Sequence, residues 1–180
     1  MTFVQELLEA HLSAVSQLHA QSARIVEIGN ILIDCLRAGG RLYLCGNGGS
    51  AADAQHLATE LACRYETIRP GLPAIALTTD SSMLTAIGND MGFEHIFARQ
   101  VEAFVRPGDI LMCISTSGES RNVMAAAAAA RARGAVTVGL LGKNGGRLRN
   151  LVDHSVVVPS ENTARVQECH ILIGHILCAM

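Results

Sequence analysis

From residue 3 to residue 37, apolar side chains recur three and four positions apart and no proline intervenes, which predicts a long helix. "AGG" at 38–40 ends it. The period then shortens. "RLYLC" reads as a buried strand, "GNGGSA" as a loop, and "ADAQHLATELACRY" returns to a helical spacing. "LPAIALT" is a second strand, followed by two short helical stretches, "DSSMLTAIGND" and "GFEHIFARQVEAF". Pro107 and Gly108 make a turn into a third strand, "DILMCIS". "ESRNVMAAAAAARARG" is a helix closed by Gly134. "AVTVGLL" and "HSVVVP" are the fourth and fifth strands, and "ENTARVQECHILIGHILCAM" is the last helix.

Short apolar strands alternating with helices predict an α/β fold, a three-layer αβα sandwich whose parallel sheet is covered on both faces. The organisation expected is an N-terminal helix over residues 1–38, used for packing and oligomerisation, and an α/β domain over 39–180. The alanine run at 125–130 reads as a high-propensity helix lying close against the sheet.

Composition narrows the reading. Of 180 residues, 49% are hydrophobic but only 3% aromatic, so the core must be aliphatic. The formal net charge of −2 and the lack of a long basic run argue against nucleic-acid binding through a general electrostatic field. The six cysteines, at 35, 45, 63, 113, 169 and 178, form no C-x-x-C pair, and several sit in apolar runs, which predicts free thiols and a cytoplasmic setting. Neither a signal peptide nor a bilayer-spanning stretch is expected. The apolar final segment predicts a helix buried against another surface, incomplete as it stands or covered by a partner subunit.

Ligands of such folds bind beyond the carboxyl ends of the strands. Two loops there are rich in glycine and hydroxyls. "STSGES" carries Ser115, Thr116, Ser117 and Ser120 between a strand and a helix. A helix N-terminus offers unpaired N–H groups and a positive dipole end, and hydroxyls donate to phosphate oxygens without adding charge. One hydroxyl would suffice for a helix cap. Four within six residues point to a phosphate cradle. The earlier loop, "CGNGGSAA", loosely matches a dinucleotide fingerprint, but no acidic residue ends the second strand at the expected distance. A nucleotide P-loop motif is absent from the sequence.

His56 and Glu60 follow the first loop at i, i+4 spacing, on one helix face. The last helix offers Gln167, His170 and His175. On a straight helix His170 lies about 60° from Gln167, and His175 about 80° to the other side and roughly 12 Å further along. Helical geometry does not choose between the two histidines. A set of His, Glu, Gln and His suits a borderline divalent ion such as zinc.

Together, "GNGGSAADAQHLATE", "RPGLPAIALTTD", "AIGND", "ISTSGES", "GKNGG" and "RVQECHILIGH" resemble the phosphoheptose isomerases, sedoheptulose 7-phosphate isomerases of the sugar-isomerase (SIS) fold. The likeness runs in order from about residue 40 to the end. It implies a five-stranded parallel sheet, flavodoxin- or Rossmann-like, in a homotetramer with sites at subunit interfaces. It implies one zinc ion per subunit on His56, Glu60, Gln167 and His175, and so selects His175 over His170. It implies substrate contacts at Asn47, Gly48, Gly49, Ser50, Glu60, Asn89, Asp90, Ser115, Thr116, Ser117, Ser120 and Gln167, with Glu60 and His175 catalytic.

The reaction moves a carbonyl between C2 and C1 of a sugar phosphate through an enediolate. Glu60 is the candidate to shuttle the carbon-bound proton. His175 suits proton movement between the oxygens or ring opening. A bound cation would stabilise the enediolate charge, although metal binding by Glu60 would lower its basicity. Two other readings share the fold and the serine loop. One is a non-catalytic tetrameric regulator that binds the replication-initiator protein. That type lacks residues matching Glu60 and His175. The other is an isomerase for a different phosphosugar.

Overall fold

The computed structural model describes residues 2–180. Its helices are α1 (Phe3–Leu18), α2 (Ser22–Arg37), α3 (Gly49–Ala62), α4 (Ser81–Asp90), α5 (Ala98–Phe104), α6 (Arg121–Ala132) and α7 (Thr163–Ala179). Its strands are β1 (Leu42–Gly46), β2 (Ala74–Ala76), β3 (Ile110–Ser115), β4 (Val136–Gly142) and β5 (His154–Val158).

The N-terminal segment is two helices rather than the single one expected. Thr2 and Gln5 form a reciprocal capping box at the start of α1. At His19–Gln21 the chain tightens into one turn of 3-10 helix before α2. The cause is tertiary. The Gln21 carboxamide donates to the Val157 carbonyl at 2.6 Å and accepts from the Val157 N–H at 3.0 Å. One side chain thus satisfies both main-chain groups of a residue on the edge strand β5, which would otherwise be open to pairing with another chain. Helical periodicity carries no sign of this bond.

The five strands are parallel in the order β2-β1-β3-β4-β5. The chain runs outward from β1 to β2, returns to β3 on the other side of β1, and continues outward. The order therefore reverses between β1 and β3, where open α/β sheets hold their ligands. At the opposite end of the sheet the Asp109 carboxylate accepts from the N–H groups of Arg41 and Arg106, at 2.9 and 2.8 Å. That pins the entries to the same two strands.

Two apolar cores flank the sheet. One packs α1, α2, α3 and α7 against one face. The other packs α5, α6 and the end of α4 against the opposite face, with Ala126, Ala127 and Ala130 fully buried in α6. Small side chains let that helix approach the strands closely, as its composition predicts. All six cysteines are free.

One buried group conflicts with its surroundings. His170 is fully enclosed in α7, and neither ring nitrogen has a hydrogen-bond partner. Desolvation lowers its pKa to about 4, against a smaller opposing effect of the Leu141 backbone. The folded state therefore holds His170 neutral. Its full stability is present above about pH 6.5 and declines as the pH falls toward 4, by roughly 3 kcal/mol in total. Urea unfolding between pH 7 and pH 4 should show this loss in the wild type. His170→Leu should lose less stability over the same range. Parallel curves would mean that the imidazole does not bear the titration.

Candidate functional site

The loop after β1 turns sharply into α3. Gly48 has φ +55° and ψ −121°, a conformation suited to glycine. Asn47 is half-buried, Gly48 and Gly49 are exposed, and Ser50 is buried in the first turn of α3. The Ser50 and Ala51 N–H groups are taken by the Asn47 and Gly48 carbonyls.

The serine loop leaves β3 beside it. The Ser115 hydroxyl lies 3.1 Å from that of Ser120 and accepts from the Gly118 N–H at 3.1 Å. The Ser117 hydroxyl accepts from the Glu119 N–H, also at 3.1 Å. These two hydroxyls thus brace the loop's own backbone. Ser120 occupies the cap position of α6 but makes no side-chain cap bond; in the first turn the Val123 N–H is taken by Asn122 Oδ1 at 2.9 Å. Ser120 and Asn47 help line an open cavity of about 500 Å³, walled also by Phe93 and Glu94.

A third segment braces the serine loop. Gly118 has φ +67°, and a Cβ there would overlap the Gly145 carbonyl oxygen. The Leu148 N–H donates to the Gly118 carbonyl at 3.0 Å. Arg147 pairs with Glu119 at 2.6 Å and holds that carboxyl below its usual pKa.

The acid–base groups lie where α3 and α7 touch. His56 Nε2 is 2.9 Å from His175 Nε2 and 3.5 Å from a Glu60 carboxylate oxygen. The Tyr65 ring stacks on His175 with centroids 5.8 Å apart. A tetrahedral ion with bonds of about 2.0–2.1 Å separates its donor atoms by roughly 3.3 Å. The observed 2.9 and 3.5 Å straddle that spacing, and two imidazoles with a carboxylate are a donor set that zinc favours. Among the described residues no three His, Cys, Asp or Glu side chains already stand as a complete ligand group. His56 makes the two contacts, one to each neighbour.

Gln167 is elsewhere. Its amide packs so closely on Gly49 that a Cβ there would overlap it. Gly49 precedes His56 by seven residues, about 10 Å of helix. In this conformation Gln167 therefore stands with the β1 loop. Asn89 and Asp90 are exposed at the end of α4, where the Asn89 amide donates to the Asp90 carboxylate at 2.7 Å. They lie just before the Phe93–Glu94 wall without lining it. Thr116 is half-buried.

Sequence reasoning missed three residues. Asn122 bridges the two loops through its amide. Asp53 precedes His56 by one turn and has a buried carboxylate oxygen with no partner. Burial raises its pKa and His56 opposes the rise. Tyr65 covers His175. Only Asp53 left a periodic signal, since i, i+3 and i+7 place it on the face of His56 and Glu60.

Comparison with known proteins matches this arrangement. A SIS domain family profile covers residues 6–142. The phosphoheptose isomerase of Trichlorobacter lovleyi is 51% identical over 178 residues, 98% of this chain and 91% of that protein. That of Nitratiruptor is 59% identical over 150 residues, 83% and 80% of the two chains. The solved phosphoheptose isomerase of Francisella tularensis superposes with a TM-score of 0.94 at 39% identity, over 99% and 97% of the two chains.

The chain belongs to the phosphoheptose isomerase family.

As a member of that family it carries the SIS sheet with helices on both faces, and the profile match takes in most of α1 and all of α2. The glycine contact between the serine loop and the 143–147 loop gives a direct test. Gly118→Ala combines a left-handed φ with a backbone overlap that no side-chain rotation relieves. It should cost about 2 kcal/mol or more, read by thermal unfolding, and weaken phosphate-ester binding. An unchanged melting temperature would mean that the two loops are not held together.

Proposed function

We propose that this protein interconverts sedoheptulose 7-phosphate and D-glycero-D-manno-heptose 7-phosphate through an enediolate, early in the making of nucleotide-activated heptose. The carrying observation is the meeting of His56, Glu60 and His175, drawn from α7 and from α3, the helix that opens at the β1 loop. The regulator reading has no use for Glu60 and His175 placed in this way.

The α6 N-terminus and the hydroxyls of Ser115, Thr116, Ser117 and Ser120 hold the phosphate. Gly48 and Gly49 let the sugar approach the backbone, and Asn47, Ser50, Asn89, Asp90 and Gln167 bind its hydroxyls. Anchoring the far end keeps the reacting carbons in register. Glu60 removes the proton from one carbon and returns it to the neighbouring one. His175, steadied by Tyr65, moves the proton between the two oxygens. His56, Glu60 and His175 would hold a zinc ion, and Gln167 would join them as a fourth donor only by leaving its contact with Gly49. When bound, the ion would stabilise negative charge on the substrate oxygens as a Lewis acid.

Two further readings concern setting and assembly. Six free cysteines support a cytoplasmic location, and among the described residues no helix is long and apolar enough to cross a membrane. A homotetramer with sites at its interfaces is supported by α1, whose Phe3, Val4, Leu8 and Leu12 are 74%, 63%, 59% and 60% exposed. It is also supported by the openness of His56, whose side chain is 48% exposed at the mouth of the site.

Glu60→Gln and His175→Gln should each reduce turnover of sedoheptulose 7-phosphate by at least about 10²-fold, followed by NMR of the aldose product, while substrate still binds by calorimetry. The His175 change should also lower zinc content in elemental analysis. Near-normal turnover in either variant removes that residue from the chemistry. For assembly, Leu8→Glu with Leu12→Glu should shift the particle to a smaller species in light scattering. An unchanged mass would exclude α1 from the interface.

A further inference from the structure

The loops after β1 and β3 are joined by one pair of carboxamides. Asn47 Nδ2 donates to Asn122 Oδ1 at 2.8 Å, and Asn122 Nδ2 donates to Asn47 Oδ1 at 2.7 Å. Asn122 lies in the first turn of α6 and is only 3% exposed. The Val123 N–H also donates to Asn122 Oδ1, at 2.9 Å. A backbone N–H can only donate, so this bond fixes which end of the Asn122 amide is oxygen. That choice dictates the orientation of the Asn47 amide as well. Asn47 is left with one N–H and one oxygen lone pair uncommitted, at the wall of the cavity it shares with Ser120.

We propose that Asn122 is a positioning residue: it ties the two strand-end loops together and fixes the Asn47 carboxamide so that its free N–H serves the substrate. The role requires asparagine. Aspartate matches its shape but cannot donate to Asn47 Oδ1. Glutamine is one methylene too long for the planar pair, and serine has too few groups to make both cross-loop bonds. The inference rests on the isomerase reading of this cavity, because it assigns Asn122 to that reaction through Asn47.

The test is a double-mutant cycle on the full-length protein with sedoheptulose 7-phosphate. Asn122→Ala should raise KM about tenfold, the worth of one to two neutral hydrogen bonds, and lower kcat by less. In an Asn47→Ala background the same change should cost only about twofold, because its target is already gone. Asn122→Asp keeps the acceptor for Val123 and the fold, and should raise KM at least as much as the alanine change. Multiplicative effects of the Asn47 and Asn122 changes would overturn the proposal, as would a wild-type KM in Asn122→Asp. The same cycle is read by calorimetric affinity for sedoheptulose 7-phosphate. A wild type that binds this sugar without turning it over would refute the isomerase reading, and the coupling between the two asparagines in that affinity would still decide the clamp.

Discussion

The close approach of α3 and α7 is the constraint on which the chemistry depends. A Cβ on Gly174 would overlap the Leu57 side chain, and one on Gly49 would overlap the Gln167 amide. Glycine at these two points lets the helices lie nearer than ordinary side chains allow. Their contacts run in the same direction along both helices: residue 49 against 167, 57 against 174, and 56 against 175. That parallel packing sets His175 opposite His56. His56 and His175, 119 positions apart in the chain, meet at 2.9 Å because the packing above them leaves little room to shift.

The sheet supplies the second half of the arrangement. Pairing of β1 with β3 sets Gly46 opposite Ile114, so the chain leaves both strands at nearly the same height. Two loops that bind little alone become two walls of one cavity. Their stiffness comes from backbone packing rather than from regular structure. Gly118 and Gly146 approach too closely for any side chain, and Arg147 ties Glu119 to the third loop. The carboxamide pair of Asn47 and Asn122 closes the remaining gap. The Ser115 and Ser117 oxygens accept from the loop's own N–H groups and so hold the loop in shape, while Ser120 lines the cavity at the start of α6.

The alternation of short apolar strands with helices already specified a parallel sheet covered on both faces, and its strands and helices stand close to where the periods place them. The misses lie where one side chain overrides a local pattern. The N-terminal helix is interrupted at His19–Gln21, where Gln21 bonds a strand more than a hundred residues later. β2 contracts to Ala74–Ala76 because Pro73 lacks an N–H for the ladder, and beyond Ala76 only the Leu77 N–H still reaches β1.

For the site, the sequence by itself determined the kinds of group and the loops that carry them. A hydroxyl-rich turn after a strand, and His and Glu one helical turn apart, are local patterns with local causes. Which residues meet was decided only in three dimensions. His170 and His175 are equally plausible on a helical wheel, yet the first is sealed in the core and the second faces His56. Asn122 looks like any polar residue in a first helical turn, and Gln167 like a partner for His175 rather than for Gly49. Such pairings depend on the distance between elements remote in the chain, and that distance is set by glycine contacts and strand register, which leave no periodic trace in the residues they bring together.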